Sequence, residues 1–349
     1  MVTGLHRIAP VPYAASGLLR ALPAPPPGCT GWPWTEEATP AGERMADGRE
    51  WPRISIVTPS FNQGQYIEET IRSVLLQNYP NLEYIVMDAG STDGTRAVLE
   101  RYAPWLSHWV SERDEGQSDA IARGFELASG DIIAWLGSDD LYLPGALKWV
   151  ATAHIEQPDI GFICGETNLD QGVGSSAWSE FRYKNAKPTF LRLIACGQII
   201  QQPGTFWTMQ AYRATAGVDR ELQFCMDYDL FIKLSKVSAA SYVDHEVAWM
   251  RIHPEAKSAR LNHVQRKESL AIVERELRAR PAPIWYLCAL SYIHAIRYVI
   301  RTPLFSWGEK ALRTSRLIGG YVYHFLKGDV FRWHPVGGYR APPQVKHEQ

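Results

Sequence analysis

Two adjacent carboxylates, Asp139 and Asp140, follow the apolar run Asp131–Leu136 and the pair Gly137-Ser138. Side by side they repel unless a cation or hydrogen-bond donors compensate. A hard divalent ion such as Mg2+ or Mn2+ takes one or two carboxylates together with diphosphate oxygens. Two earlier apolar runs end in similar chemistry. Ile54–Thr58 runs into Pro59-Ser60-Phe61-Asn62, and Leu82–Met87 into Asp88-Ala89-Gly90-Ser91-Thr92-Asp93. Ligands of open parallel sheets bind beyond the carboxyl ends of the strands, so polar residues at three such ends suit one nucleotide- and metal-binding crevice. Read alone, Ser138-Asp139-Asp140 is equally a turn that caps a helix, and Asp88 or Ser91 an Asx-type turn.

The elements that must position these residues alternate along the chain. Ile54–Thr58 is too short for a helix before Pro59 and reads as a buried strand. Tyr66–Leu76 places Ile67, Ile71, Val74 and Leu75 on one helical face. Tyr79-Pro80-Asn81 ends that helix before a second strand, Leu82–Met87. A helix over Thr95–Tyr102, a short strand at Trp109-Val110, and a helix capped by Ser118 that buries Ile121, Phe125 and Ala128 come next. Asp131–Leu136 is the strand that delivers the acidic pair, with Pro144 in the first turn of the following helix. The alternation predicts an α/β fold: a doubly wound, mostly parallel sheet with helices on both faces.

Ile54–Asn62, Asp88–Thr95, Asp114–Ile121, Ser138-Asp139-Asp140 and Met226–Leu230 together resemble the signatures of family 2 glycosyltransferases with the GT-A fold. The resemblance spans Arg53–His263, five motifs in the family's order. It implies an inverting transfer of a sugar from a nucleotide-sugar donor to a glycan or lipid-linked acceptor hydroxyl, assisted by Mn2+ or Mg2+. By resemblance, Asp140 contacts the metal and Asp139 the ribose. Pro59, Ser60, Phe61 and Asn62 pack on base and ribose, Asp88 faces the nucleotide, and Asp114 with Gln117-Ser118-Asp119 lies near the diphosphate. Asp227 matches the family's catalytic base, although Met226 stands where Glu is usual. Such a base works best when partial burial raises its pKa; the same Asp is also a normal residue for a helix start. Gln202 and Trp207 correspond to the acceptor side, where Gln202 would bond a hydroxyl and Trp207 stack on a ring. Arg251 would meet the diphosphate and His253 reach the metal. Ala89 replaces a residue that often reads uracil, which leaves the base open. Arg123 either aids the phosphates or is a solvated helix residue, and Asp229 is structural.

The composition is ordinary for a globular protein: 349 residues, 46% apolar and 21% charged. A net charge of −1 offers nothing to draw in nucleic acid. Five scattered cysteines with no C-x-x-C pair read as reduced, mostly buried thiols in a cytoplasmic protein. Residues 1–52 carry prolines from Pro10 to Pro40 and read as a flexible extension. A catalytic domain over 53–263 then leads to a helical, basic and aromatic region over 264–349. In that region Val264–Arg280 is a charged helix, and Pro283–Arg301 is apolar with Ser291, His294, Arg297 and Arg301 on one stripe. Its uncharged stretch is shorter than the ~20 residues of a spanning helix. The region either docks on the domain or lies peripherally on the inner face of a membrane. Competing functions are a nucleotidyltransferase, disfavoured because Pro59–Asn62 holds no basic residue, and a catalytically inactive nucleotide-sugar-binding protein of the same fold. No G-x-G-x-x-G follows the first strand, against a dinucleotide-dependent oxidoreductase.

Overall fold

The structure, a computed structural model, describes residues 8–170, 182–183, 187–253, 255–257 and 261–279. The first strands and helices fall close to the sequence expectation. They are β1 (Ile54–Ser60), α1 (Ile67–Leu75), β2 (Leu82–Asp88), α2 (Thr95–Tyr102), β3 (His108–Ser111), α3 (Gln117–Leu127) and β4 (Ile132–Trp135). Then come β5 (Leu141–Tyr142), α4 (Ala146–Glu156), β6 (Ile160–Asp170), β7 (Arg182–Tyr183), α5 (Phe190–Cys196), β8 (Thr205–Thr208), α6 (Met209–Arg213), α7 (Met226–Val237), β9 (Ala239–Arg251) and α8 (Asn262–Ala279).

The strands form one sheet in the order β3-β2-β1-β4-β8-β6-β9-β5, with β7 beside β6. From β3 to β4 all pairings are parallel. Beyond β4 the sheet turns mixed, since β8 runs antiparallel to both β4 and β6, and β5 antiparallel to β9. The expected parallel sheet is therefore its first half. In that half alternate residues serve opposite faces, the period of a strand. Ile54, Ile56, Tyr84, Val86, Ile132 and Ala134 share a core with Ile67, Ile71 and Val74 of α1, Leu99 of α2 and Leu147 of α4. On the other face α3 packs against β1 and β2, so close to Val57 that Gly124 has no room for a side chain.

Residues 188–199 and 254–349 group as a second unit, of which α5 and α8 are described. The charged helix expected at 264–280 is α8. The apolar segment Pro283–Arg301 and the basic-aromatic stretch after it lie outside the described residues. Among the described residues no helix is long and apolar enough to cross a membrane. Cys164 and Cys225 are buried thiols outside any disulfide, and burial pushes the pKa of Cys164 far up.

Residues 8–52 correct the expectation of a flexible extension. They are irregular, as their prolines require, yet they lie packed on the sheet-and-helix core. Val11, Leu18, Leu22 and Trp51 are buried in the same cluster as α1 and β2. The Val11 N–H donates to the Leu82 carbonyl at 2.7 Å, and Trp32 Nε1 to the Tyr142 carbonyl at 2.9 Å. Arg72 of α1, fully buried, donates to the carbonyls of Pro23, Pro33 and Trp34 at 2.9–3.0 Å. A buried guanidinium with several donors suits a strap whose carbonyls have no strand partner.

Candidate active site

The carboxyl edge of the parallel half is built by register. Ser60, Asp88 and Ser111 are paired across β1, β2 and β3. Asp88 is 1% exposed and accepts from the Ser91 N–H at 3.0 Å, the Ser91 hydroxyl at 2.5 Å and the Ser111 hydroxyl at 2.6 Å. Its carboxylate therefore closes the loop after β2. That loop is tied to the one after β1. Asn62, at φ 52°, donates its N–H to the Ser91 hydroxyl and accepts from the Thr92 N–H, while the Gly64 N–H reaches Asp93 Oδ2 at 2.8 Å. Burial alone would raise the Asp93 pKa, but hydrogen bonds from Thr95 and Gly64 outweigh it and hold the carboxyl below its ordinary value. Between these polar ties Phe61 stands 59% exposed, a free aromatic face at the strand edge.

The acidic turn follows β4. Its 138–140 segment does not cap α4. It enters β5 instead, and α4 starts after Gly145, with Pro144 just outside it. Gly137 leaves room for both carboxylates, since a Cβ there would lie 2.8 Å from Asp139 Oδ1 and 3.0 Å from Asp140 Oδ2. Asp140 accepts from the Arg251 N–H at 3.0 Å, and Asp139 Oδ2 lies 3.0 Å from His253 Nε2. The Arg251 guanidinium donates to the Asp139 carbonyl at 2.8 Å, pairs with Glu69 at 2.7 Å and stacks over the Tyr66 ring at 4.7 Å. Thus the end of β9 brings Arg251 and, two residues on, His253 to the turn. Burial, reinforced by the neighbouring Asp139 charge, drives the Asp140 pKa well above the ordinary carboxylate range, and Arg251 offsets this in part.

That electrostatic state is the test for a divalent cation. A buried carboxylate beside another is relieved by a hard positive ion with oxygen preference, and His253 Nδ1 is buried with no partner among the described residues. No cluster of three His, Cys, Asp or Glu side chains is poised for a metal among the described residues. A site of two carboxylates completed by diphosphate oxygens needs none. The residues present fit such an ion.

The remaining expected residues have other surroundings. Asp119 is buried in the first turn of α3 and pairs with Arg220 at 3.0 Å. Nothing in the sequence marks Arg220 as its partner, 101 residues away. Asp114 accepts from the Gly116 N–H at 2.8 Å; burial raises its pKa, and the Asp119 and Asp88 charges add to this. Ser118 does not cap α3: Gly116 holds that position, and the Ser118 hydroxyl donates to the Leu222 carbonyl. Arg123 pairs with Glu112 on the surface, the solvated reading. Gln202 Nε2 donates to the Trp135 carbonyl at 2.7 Å and fastens its loop to the end of β4. Trp207 is a correction. It is 0% exposed in β8, packed edge-on to Trp135 and Phe125, and has no face to offer a sugar. Asp227 lies in the first turn of α7, partly exposed, with Oδ1 accepting the Tyr228 N–H at 2.7 Å. Asp229 is buried and paired with Lys233, a structural role.

An open sheet with an acidic turn between β4 and β5 is the architecture of the GT-A fold. Comparison with solved structures agrees at the level of the fold. A mannosyltransferase from Pyrobaculum calidifontis, in complex with GDP-Man and Mn2+, aligns with a TM-score of 0.52 over 82% of this chain and 85% of its own, at 16% identity. The sequence profile of Glycosyl transferase family 2 matches residues 55–215. Over those residues the chain is similar to the family 2 glycosyltransferases. An uncharacterised glycosyltransferase of Rickettsia typhi is 28% identical over 225 residues, 63% of this chain and 70% of the relative. Chondroitin synthase of Escherichia coli is 25% identical over 234 residues, 65% of this chain, which spans a third (33%) of that protein's length.

Proposed function

We propose that the chain transfers a sugar, with inversion, from a nucleotide-sugar donor to a hydroxyl of a glycan or lipid-linked acceptor. The observation that carries this reading is the acidic turn, where the buried Asp140 and its neighbour Asp139 are bonded by Arg251 and His253. The relatives add support: one is named a chondroitin synthase, and a structural neighbour is in complex with GDP-Man and Mn2+.

Mn2+ or Mg2+, held by Asp140 with Asp139 beside it, would supply positive charge for the donor's diphosphate. The other roles belong to side chains. Phe61 offers its exposed face to base or ribose, and the Asn62–Ser91 and Gly64–Asp93 ties fix the loops around it. Asp88 acts by shaping that pocket, since its oxygens are taken up by Ser91 and Ser111. Arg251 keeps a positive charge beside the turn. Asp227 accepts the proton of the acceptor hydroxyl as its oxygen attacks the anomeric carbon and the sugar–phosphate bond breaks. The sugar carbon passes through an oxocarbenium-like state, with no covalent enzyme intermediate. Gln202 holds the acceptor-side loop rather than the acceptor itself.

The test is nucleoside diphosphate release from a panel of nucleotide sugars with Mn2+ and a mixed glycan acceptor. One donor should turn over in the native protein and fail in both Asp140→Asn and Asp227→Asn. Undiminished turnover in Asp227→Asn would remove that residue as the base.

A further inference from the structure

Helix α1 carries a polar stripe on a face that a small soluble helix would ordinarily fill with apolar side chains. Tyr66, Glu69, Thr70, Ser73 and, just past the helix, Gln77 recur at the spacing of one helical face. Thr70 and Ser73 are 0% exposed, and Gln77 is 3%. Each finds its partner in one segment, residues 138–147. The Thr70 hydroxyl lies 2.9 Å from the carbonyls of both Ser138 and Asp140. The Ser73 hydroxyl accepts the Tyr142 N–H at 3.2 Å, and Gln77 Nε2 donates to the Leu143 carbonyl at 2.9 Å. Glu69 grips the same turn through Arg251, whose guanidinium holds the Asp139 carbonyl.

We propose that Thr70 and Glu69 are positioning residues of the acidic turn, and that α1 is the template on which its two carboxylates are set. The inference rests on the proposed transferase reading for its consequence, but not for its geometry. A turn carrying two like charges tends to open, because separation relieves their repulsion. Thr70 opposes this with its one hydroxyl proton, shared between the carbonyls on either side of Asp139. Glu69 opposes a different failure. An arginine beside two carboxylates favours a bidentate pair with one of them, which would use up the oxygens meant for a cation. Glu69 and the Tyr66 ring hold that guanidinium on the Asp139 carbonyl instead.

The test separates hydroxyl from packing. Thr70→Val keeps the volume and loses the donor; Thr70→Ser keeps the donor and loses a methyl group. In the ligand-free full chain, amide exchange over residues 137–141 should quicken about tenfold in Thr70→Val, roughly the factor of one net hydrogen bond. Thr70→Ser should stay within about twofold of the native protein, the same factor marking the limit of a retained bond. As a second arm, calorimetry with Mn2+ plus UDP or GDP should show the Mn2+ requirement rising by a similar factor in Thr70→Val and in Glu69→Gln. Native exchange in Thr70→Val, or Thr70→Ser as fast as Thr70→Val, overturns the proposal in favour of plain packing. Should Thr70→Val not fold, an unchanged Mn2+ requirement in Glu69→Gln overturns it. Failure of the native protein to bind either nucleotide would refute the transferase reading, while the exchange arm still decides the positioning role.

Discussion

Replacing Arg72 by Met should release the N-terminal strap and cost the domain a large part of its stability. The side chain is fully buried and serves the carbonyls of Pro23, Pro33 and Trp34, with the Tyr102 hydroxyl 3.0 Å away. Met fills a similar volume but donates nothing. One buried carbonyl, of Pro33, and two half-buried ones, of Pro23 and Trp34, then lose their donor, at about 1–3 kcal/mol each. The guanidinium is no longer desolvated, which offsets part of that. A net loss of about 3–5 kcal/mol follows, against a typical total of about 5–15 kcal/mol. Urea unfolding followed by circular dichroism measures the loss. Trypsin reports where it arises, because Arg20 lies on the strap and is exposed, yet cleavage there requires the chain to detach. Native protein should resist cutting at Arg20, and Arg72→Met should be cut at once. A stability change below about 1 kcal/mol, the size of one ordinary hydrogen bond, would mean that Arg72 does not hold the strap. So would rapid cleavage of the native strap.

Trp207→Phe should lower stability by about 1–3 kcal/mol, as core truncations do, and leave acceptor KM unchanged; a raised KM would restore its expected contact with sugar. Arg220→Ala should speed amide exchange across residues 215–222 by freeing them from Asp119 and α3, seen by mass spectrometry, with no change if the pair is incidental. Iodoacetamide at pH 8 should leave Cys164 unmodified until unfolding, since burial both hides the thiol and raises its pKa; rapid native labelling would contradict the described core.

The parallel half of the fold was legible because each strand is short, apolar and followed by a turn residue, and the helices between keep one apolar face. Ile67, Ile71, Val74 and Leu75 are buried as their spacing requires. The sheet's second half was not, because β8 is buried along its whole length, so no alternation separates a sugar-facing Trp207 from a core Trp207. The strap was hidden for a related reason. Prolines announce irregular backbone, but not whether that backbone is anchored, and one of its main anchors is an arginine in α1, 38–49 residues downstream of the carbonyls it holds. At the site, residue types marked the acidic turn and Arg251. The contacts that shape it, Thr70 with Ser138 and Asp119 with Arg220, join positions 68 and 101 residues apart, which local pattern does not encode.

The central claim is that the acidic turn binds a nucleotide through a divalent ion. Isothermal titration of UDP, GDP and the other nucleoside diphosphates, with and without Mn2+, on native protein and Asp140→Asn tests it most directly. One nucleotide should bind in a Mn2+-dependent way, and Asp140→Asn should abolish that binding. The ligand-free variant should melt no lower than the native protein, because burial and Asp139 already oppose the Asp140 charge. Binding that ignores Mn2+ and survives in Asp140→Asn, or no binding of any nucleotide, would contradict the claim.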